Sequence, residues 1–322
     1  MKAVVIYQAG GPEVLKVEQR PRPQAKPGEV LIRVRAFGLN RSELFTRQGL
    51  SPTVKFPRIL GLEAVGQVEA APGGEFTAGD TVATAMGGMG RVFDGGYAEY
   101  TVVPAGQVMR LVTSLSWADL GALPEMIQTA WGALQMSLHI SAGETLLIRG
   151  GTTSVGLAAA VLARRQGLTV AATTRNPDSV ALLKSNGADH VFIDDGEIAS
   201  KVRGVFPGGV NKVLELVGTT TLLDSLQLTA MNGAVAMTGM VGDRWELKNF
   251  SPMGAIPTAV NLTTYSGGPV EFINTPLQGV VDALENGEVR IKTGPVFTID
   301  QIAEAHRTME ENRAGGKIVV LT

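Results

Sequence analysis

Cysteine is absent from this 322-residue chain. Its absence excludes disulfides, thiolate metal sites and a thiol nucleophile, and it fits a reducing compartment, so the expected location is cytoplasmic. Excess charge of either sign is missing as well. The chain carries 28 basic and 30 acidic residues, a formal net charge of −2. No basic field exists to track a nucleic-acid backbone, so neither DNA nor RNA is an expected partner. Long apolar runs are lacking, with none near the roughly 18 residues of a membrane span, and no membrane association is expected. The opening "MKAVVIYQAGG" alternates like a strand, and its apolar stretch has neither the length of a secretory segment nor a cleavage site. His139, His190 and His306 stand alone, without metal-ligand spacing, so no bound metal is expected.

What is present is a change of character along the chain, which is long enough for two domains. From Met1 to about Leu120, short alternating runs such as Glu29–Leu39, Glu63–Ala71 and Gly95–Pro104 are bounded by Gly, Pro or Asp turns. They predict an antiparallel, partly barrel-like β domain. From Ser116, "SWADLGALPEMIQTAWGALQM" carries helical spacing, with Ser116 and Asp119 placed like a capping box. From Gly143 to about Gly242, apolar runs and helical segments alternate, which predicts a parallel sheet with right-handed crossovers. "AVNLTTYSG" (Ala259–Gly267) reads as an edge strand, and "FINTPLQGVVDALENG" reads as one helix. The glycine-rich stretch around Met86–Met89 reads as a mobile loop or a surface excursion.

The most informative stretch is Leu146–Asn176, "LLIRGGTTSVGLAAAVLARRQGLTVAATTRN". A buried-strand signature leads through Gly150, Gly151, Thr152, Thr153 and Ser154 into an alanine-rich helix, Val155–Arg164. Unpaired N–H groups at such a helix start, together with the helix dipole, favour a phosphate. Gly150 and Gly151 permit a tight turn, Gly156 permits close helix–strand packing, and the three hydroxyls add donors. A nucleoside-triphosphate loop would need Lys-Ser/Thr after its last glycine, whereas Leu157-Ala158 follow here. The G-x-G-x-x-G fingerprint lacks its central glycine, so an ordinary strand–helix turn stays open. Dinucleotide-binding sheets place an acid about 20 residues after the loop for the ribose 2′-hydroxyl. Here Thr174, Arg175 and Asn176 occupy that place. A guanidinium with hydroxyls suits a 2′-phosphate, hence NADPH, unless Arg175 is merely solvated and Asp178 takes the acid's role.

Further segments carry a family resemblance across essentially the whole length. They are "PGEVLIRVRAFGLNRSEL", "FPRILGLEAVGQVEA", "AGDTVAT", "GGYAEYTVVP", "LPEMIQTAWGAL", "SNGADHVFID" and "GGKIVVLT". In this order the chain resembles the zinc-independent medium-chain dehydrogenases/reductases of the NADPH:quinone oxidoreductase type. The resemblance implies an α/β fold: a GroES-like β domain (1–122 and 270–322) plus a doubly wound parallel Rossmann sheet domain (123–269) that binds NADPH, with the active site in the cleft. It also implies a homodimer formed by pairing of the edge strand.

Zinc enzymes of the superfamily carry a cysteine near Asn40 and a histidine near Leu62, which this chain lacks. Without a Lewis acid, alcohol oxidation is disfavoured. Quinones and conjugated carbonyls delocalise the incoming charge themselves, so hydride transfer from NADPH to such a small-molecule substrate is the expected reaction. The resemblance locates Asn40 beside nicotinamide and substrate oxygen, as an amide donor to the developing oxyanion, with Arg41 a further pocket cation. Phe45 stands where many relatives have tyrosine, so solvent is the expected proton source. The remaining expected cofactor contacts are Thr129; Gly151, Thr152, Thr153, Ser154, Val155 and Gly156; Thr174, Arg175 and Asn176; Leu216, Val217 and Gly218; Gly239, Met240 and Val241; and Lys317. Glu63 is expected to be structural, pairing an arginine. Alternatives are an enal/enone or 2-enoyl thioester reductase, or a non-catalytic NADPH-binding protein.

Overall fold

The alternating N-terminal runs form strands, as β-branched residues on a half-buried pleat should. A computed structural model describes residues 1–322 and divides into two units. The first comprises 1–128, 267–288 and 293–322, and the second 129–266 and 289–292. The first unit holds β1 (Lys2–Ile6), β2 (Lys16–Gln19), β3 (Glu29–Gly38), β4 (Arg58–Ile59), β5 (Glu63–Ala70), β6 (Thr81–Ala85), β7 (Tyr100–Pro104) and β8 (Val108–Arg110). The second holds β9 (Thr145–Arg149), β10 (Thr169–Thr174), β11 (His190–Ile193), β12 (Val210–Glu215), β13 (Thr229–Met237) and β14 (Asn261–Thr264). The chain then returns to the first unit for β15 (Thr293–Thr298) and β16 (Lys317–Leu321). Helices in chain order are α1 (Arg41–Arg47), α2 (Trp117–Gly121), α3 (Pro124–Gly132), α4 (Ser154–Arg165), α5 (Val180–Ser185), α6 (Ala199–Val205), α7 (Thr219–Gln227), α8 (Pro252–Ala255), α9 (Pro269–Asn274), α10 (Leu277–Glu285) and α11 (Ile302–Glu310). None is long and apolar enough to cross a membrane.

In the first unit, a seven-stranded sheet runs β15-β16-β3-β5-β6-β8, with β7 also pairing β3, beside a small sheet β2-β1-β4. Antiparallel register places the end of β3 against the start of both neighbours. Gly38 lies opposite Val319, and the Leu39 N–H donates to Ile318. Asn40, two residues beyond β3, the first residue of β5 (Glu63) and the first of β16 (Lys317) therefore meet at one end of the sheet.

The second unit is a parallel sheet ordered β11-β10-β9-β12-β13-β14. Counted from β9, this is the order 3-2-1-4-5-6 in which dinucleotide-binding sheets are wound. Leu147, Ala171, Val213 and Val235 of the sheet pack against Val202 of α6 and Leu222 and Leu226 of α7. The strand order reverses between β9 and β12, so the loops that follow them flank the crevice where such sheets take ligands. β14 is an edge strand.

Two helical expectations are corrected. "FINTPLQGVVDALENG" is two helices, α9 and α10, because Pro276 supplies no N–H and biases Thr275 to extended backbone. The segment from Ser116 is likewise divided, with Pro124 opening α3. Ser116 caps α2, accepting from the Asp119 N–H. The stretch around Met86–Met89 is no excursion: Met89 is buried, and the Met86 N–H donates to Leu62. Gly90 and Gly95 lie so close to Gly61 that a side chain at either would strike its backbone.

Candidate functional site

The glycine loop begins where β9 ends. Gly150 takes φ +86°, a conformation that L side chains rarely adopt, and this turns the chain. A Cβ on Gly156 would sit 2.7 Å from the Gly150 carbonyl oxygen and 2.9 Å from that of Gly151. The close contact expected between helix and strand is therefore between α4 and the loop backbone. Thr153 caps α4: its hydroxyl accepts from the Gly156 N–H at 3.0 Å and donates to Gly150 at 2.9 Å. Its only proton is spent, which corrects its expected role as a ligand donor. The Gly151 N–H is likewise spent on the Thr173 carbonyl. The N–H groups of Thr152, Ser154 and Val155 and the hydroxyls of Thr152 and Ser154 have no partner within the protein. These are the orphan donors of a helix start, gathered where an anion can meet them.

At the end of β10, Thr174 and Asn176 are occupied with their own turn. The Thr174 hydroxyl accepts from the Asn176 N–H, and the Asn176 side-chain oxygen accepts from the Asp178 N–H. Both side chains shape the turn, and the Thr174 hydroxyl also donates to the Asn176 carbonyl at 3.2 Å. Arg175 between them is exposed, and its guanidinium has no partner within the protein. Asp178 is also exposed.

Leu216–Gly218 follow β12, and Gly239–Val241 follow β13. The two segments are zipped together, with Val241 N–H donating to Leu216 and Gly242 N–H to Val217. A Cβ on Gly239 would lie 2.4 Å from the Leu216 oxygen, so only glycine allows this approach. Sequence reasoning missed the charges beneath these loops. The fully buried Arg149 donates to both oxygens of Asp194 at 2.9 Å, to Asp224 at 2.6 Å and to the Gly196 carbonyl. Burial alone would raise the Asp194 carboxyl, but hydrogen bonds from Arg149 hold it below the ordinary range. Glu215, also buried, accepts from the N–H groups of Val217 and Gly218 and from the Ser225 hydroxyl. Burial pushes its carboxyl up despite those donors. The available signal was a charge inside otherwise apolar strands, "LLIRG" and "LELVG".

Asn40 sits at the N-cap position of α1, yet its side chain makes no capping bond. Its Oδ1 accepts instead from the Lys317 ammonium, and its Nδ2 donates to Glu63 Oε1 at 3.0 Å and Glu43 Oε1 at 3.2 Å. The amide orientation is fixed chemically, because an ammonium offers only donors and carboxylates only acceptors. Lys317 is 1% exposed and also reaches Glu63 at 2.7 Å and Glu125 at 3.2 Å. One expectation is corrected here: Glu63 pairs a lysine, not an arginine. The three protons of Lys317 are directed at Asn40, Glu63 and Glu125. Both Asn40 N–H groups face carboxylates.

Burial shapes the charges of this cluster. It would lower the Lys317 ammonium's pKa, but Glu63 and Glu125 outweigh it and hold the pKa above the ordinary value. The Glu43 carboxyl is pushed up to about 7, first by burial and further by the Glu63 charge. Its Oε1 also accepts from the Leu62 N–H at 3.0 Å, while its buried Oε2 has no partner. Gly38 makes room for the cluster: a Cβ there would lie 2.3 Å from Lys317 Cε and 2.5 Å from Glu63 Oε1.

Of the other expected residues, Arg41 donates to Asn312, Phe45 is buried in α1, and Thr129 is half-buried on α3. His306 is buried against the Tyr97 hydroxyl at 3.1 Å, and burial pushes its pKa down to about 3, so it stays neutral.

Two family models match the chain: an alcohol dehydrogenase GroES-like domain over residues 26–113 and a zinc-binding dehydrogenase over 186–320. Among curated proteins, a quinone oxidoreductase of Sus scrofa is 31% identical, covering 100% of this chain and 98% of that protein. Among solved structures, a quinone oxidoreductase of Pseudomonas syringae is 25% identical with a TM-score of 0.89, covering 100% and 99%. A mycobacterial protein solved in complex with NADPH is 27% identical with a TM-score of 0.88, and each chain covers all of the other. The donor set at Asn40 does not fit the metal that one model's description names: an ammonium already occupies the carboxylate of Glu63 at 2.7 Å, and no thiol exists. With a GroES-like domain, a doubly wound parallel sheet and full-length relatives in agreement, the chain belongs to the quinone oxidoreductase-like family of medium-chain dehydrogenases/reductases, a family of enzymes.

Proposed function

We propose that this protein is an NADPH-dependent reductase that delivers hydride, without a metal, to a quinone or a similar conjugated carbonyl. One observation carries the cofactor assignment. Unspent loop donors and an unpartnered guanidinium stand on adjacent parallel strands, at the ends where doubly wound sheets bind dinucleotides. The N–H groups of Thr152, Ser154 and Val155 would hold the diphosphate, and Arg175 the 2′-phosphate. Gly151, Thr153 and Gly156 shape the loop. Leu216–Gly218, Gly239–Val241 and Thr129 would line the remaining length of the cofactor. When bound, NADPH supplies the hydride. Asn40, which keeps 7% of its surface exposed, is assigned to the substrate oxygen, because an amide donor needs no ionisation. The relatives named quinone oxidoreductase support the substrate class, and the neighbour solved with NADPH supports the cofactor.

The assignment extends to a cytoplasmic homodimer. β14 is a four-residue edge strand, and pairing with a second copy's β14 would continue the sheet. Light scattering on the purified protein checks this: a monomer mass rejects it.

The deciding experiment titrates NADPH and NADH by fluorescence, then follows NADPH consumption with 1,4-benzoquinone, an enone and, in reverse, a primary alcohol with NADP⁺. Preference for NADPH and turnover of benzoquinone are expected. Preference for NADH refutes the Arg175 assignment. Turnover of the enone alone moves the substrate class. Binding of NADPH without its oxidation by any acceptor makes the chain a binding protein, and alcohol oxidation rejects the metal-free reading.

A further inference from the structure

An amide assigned to a substrate oxygen has to be able to reach it, and both N–H groups of Asn40 are engaged by carboxylates. The two bonds are unequal. Glu63 lies nearer, at 3.0 Å, and is itself anchored by Lys317 at 2.7 Å and by the Glu125 N–H at 2.8 Å. Glu43 lies farther, at 3.2 Å. Its Oε1 serves both Asn40 and the Leu62 N–H, while its Oε2 is buried with no donor at all. A buried carboxylate oxygen without a donor costs more when charged than when it carries the proton.

We propose that Glu43 is a proton-linked positioning residue: ionised, it holds one Asn40 N–H inward, and protonated, it weakens that hold so that the N–H can turn to the substrate oxygen. This rests on the assignment of Asn40 under the proposed function. The charged and titratable groups around Glu43 come from several elements. Glu63 on β5 raises its proton affinity, and Lys317 on β16 lowers it. The buried Tyr97 hydroxyl, before β7, feels the Glu43 charge, and Arg47 lies one turn further along α1. Glu125 lies beyond Lys317, and His306 beyond Tyr97. The balance leaves Glu43 titrating at about 7, inside the working range of an enzyme. Hydrogen bonds to a charged acceptor are roughly twice as strong as those to a neutral one, so protonating Glu43 is expected to speed turnover about tenfold.

The test is the pH profile of kcat, with saturating NADPH and 1,4-benzoquinone, from about pH 6 to about pH 9, for wild type and Glu43→Gln. Glutamine has the shape of the protonated acid, with its oxygen at the Oε1 position and no charge at any pH. The expected wild-type rate falls about tenfold through a single ionisation near 7. E43Q is expected to stay at the acid plateau throughout, with unchanged NADPH affinity by fluorescence. A variant that keeps the wild-type inflection overturns the inference, and so does a flat wild-type profile with normal turnover. Should E43Q fold poorly, Asn40→Ala decides the same point: the residual rate loses its inflection if Glu43 acts through Asn40, and keeps it if Glu43 acts elsewhere. Absence of NADPH turnover at every pH instead overturns the functional assignment on which the inference rests.

Discussion

Replacing Lys317 with methionine separates two roles for a lysine at the start of the last strand. The side chain keeps its length and apolar stem but loses the ammonium that serves Asn40, Glu63 and Glu125. At 1% exposure, no water replaces it. Glu63, fully buried, is left without its counter-ion, and the Asn40 oxygen is left without its donor. Removing one partner of a buried ion pair costs about 3–5 kcal/mol. Domains hold only about 5–15 kcal/mol in total, so the variant folds with a much smaller margin. With urea m-values of about 2–3 kcal/mol/M, the unfolding midpoint is expected to fall by about 1–2.5 M. Adding Glu63→Gln removes the stranded charge and is expected to recover about 1–2 kcal/mol of that loss. NADPH affinity, read by fluorescence, is expected to stay within about twofold, because the ammonium is fully used inside the first unit. Turnover is expected to fall with Asn40 unanchored. The opposite pattern, an unchanged midpoint with NADPH affinity about tenfold weaker or worse, refutes the reasoning and makes Lys317 a phosphate ligand.

Three other outcomes follow from the geometry. Arg175→Ala is expected to lose about 1.5–3 kcal/mol of NADPH binding, roughly 10- to 100-fold, with NADH affinity unchanged; equal losses in the two fluorescence titrations refute the 2′-phosphate assignment. Gly156→Ala drives a methyl into the carbonyls of Gly150 and Gly151, so about 1–3 kcal/mol of stability and most of the NADPH affinity should be lost; a wild-type melting temperature and affinity reject it. Glu43, with its pKa raised in the folded state, favours folding fully below about 4.5, and that contribution fades as pH rises through about 7. Glu43→Gln is therefore expected to be about 3 kcal/mol more stable than wild type at about pH 8.5, with the difference closing towards about pH 4.5, as read by urea unfolding at both ends.

The parallel unit was legible because its signals are local. An apolar run, a small-residue loop and an alanine-rich helix follow one another within Leu146–Arg165, and α4 lies within one residue of the expected helix at each end. Errors of extent came at prolines, as at Pro276, where periodicity continued but the backbone could not. Which loop donors are available was not legible. Thr152, Thr153 and Ser154 look alike in sequence, and only the cap position of Thr153 decides that its proton is consumed. The Asn40 cluster was less legible still. Lys317 meets Asn40 across 277 positions and Glu125 across 192, and no local pattern encodes such a meeting. An asparagine opening a helix is ordinarily a cap and a lysine opening a surface strand is ordinarily solvated. Both ordinary readings fail here because antiparallel pairing brings three strand ends together.

Buried charge recurs at the two places where the expected chemistry is concentrated, and stability does not account for it. Apolar side chains of similar volume would commonly serve folding as well as a buried ion pair does. What they cannot do is set direction. Arg149 is the last residue of β9, directly before the glycine loop. Its guanidinium binds Asp194 after β11, the Gly196 carbonyl, and Asp224 of α7, so the chain leaving β9 is tied to two neighbouring segments of the same unit. Asp224 in turn accepts from the N–H groups of Ile198 and Ala199 at the start of α6. Lys317 does the same for a side chain: it fixes which end of the Asn40 amide carries the oxygen, and thereby where the two N–H groups point. A leucine at either position would fill the space and leave those orientations unspecified. Bidentate and charge-assisted bonds restrict geometry as well as energy. The desolvation cost borne by Arg149 and Lys317 is therefore best understood as the cost of holding a loop and an amide in one orientation.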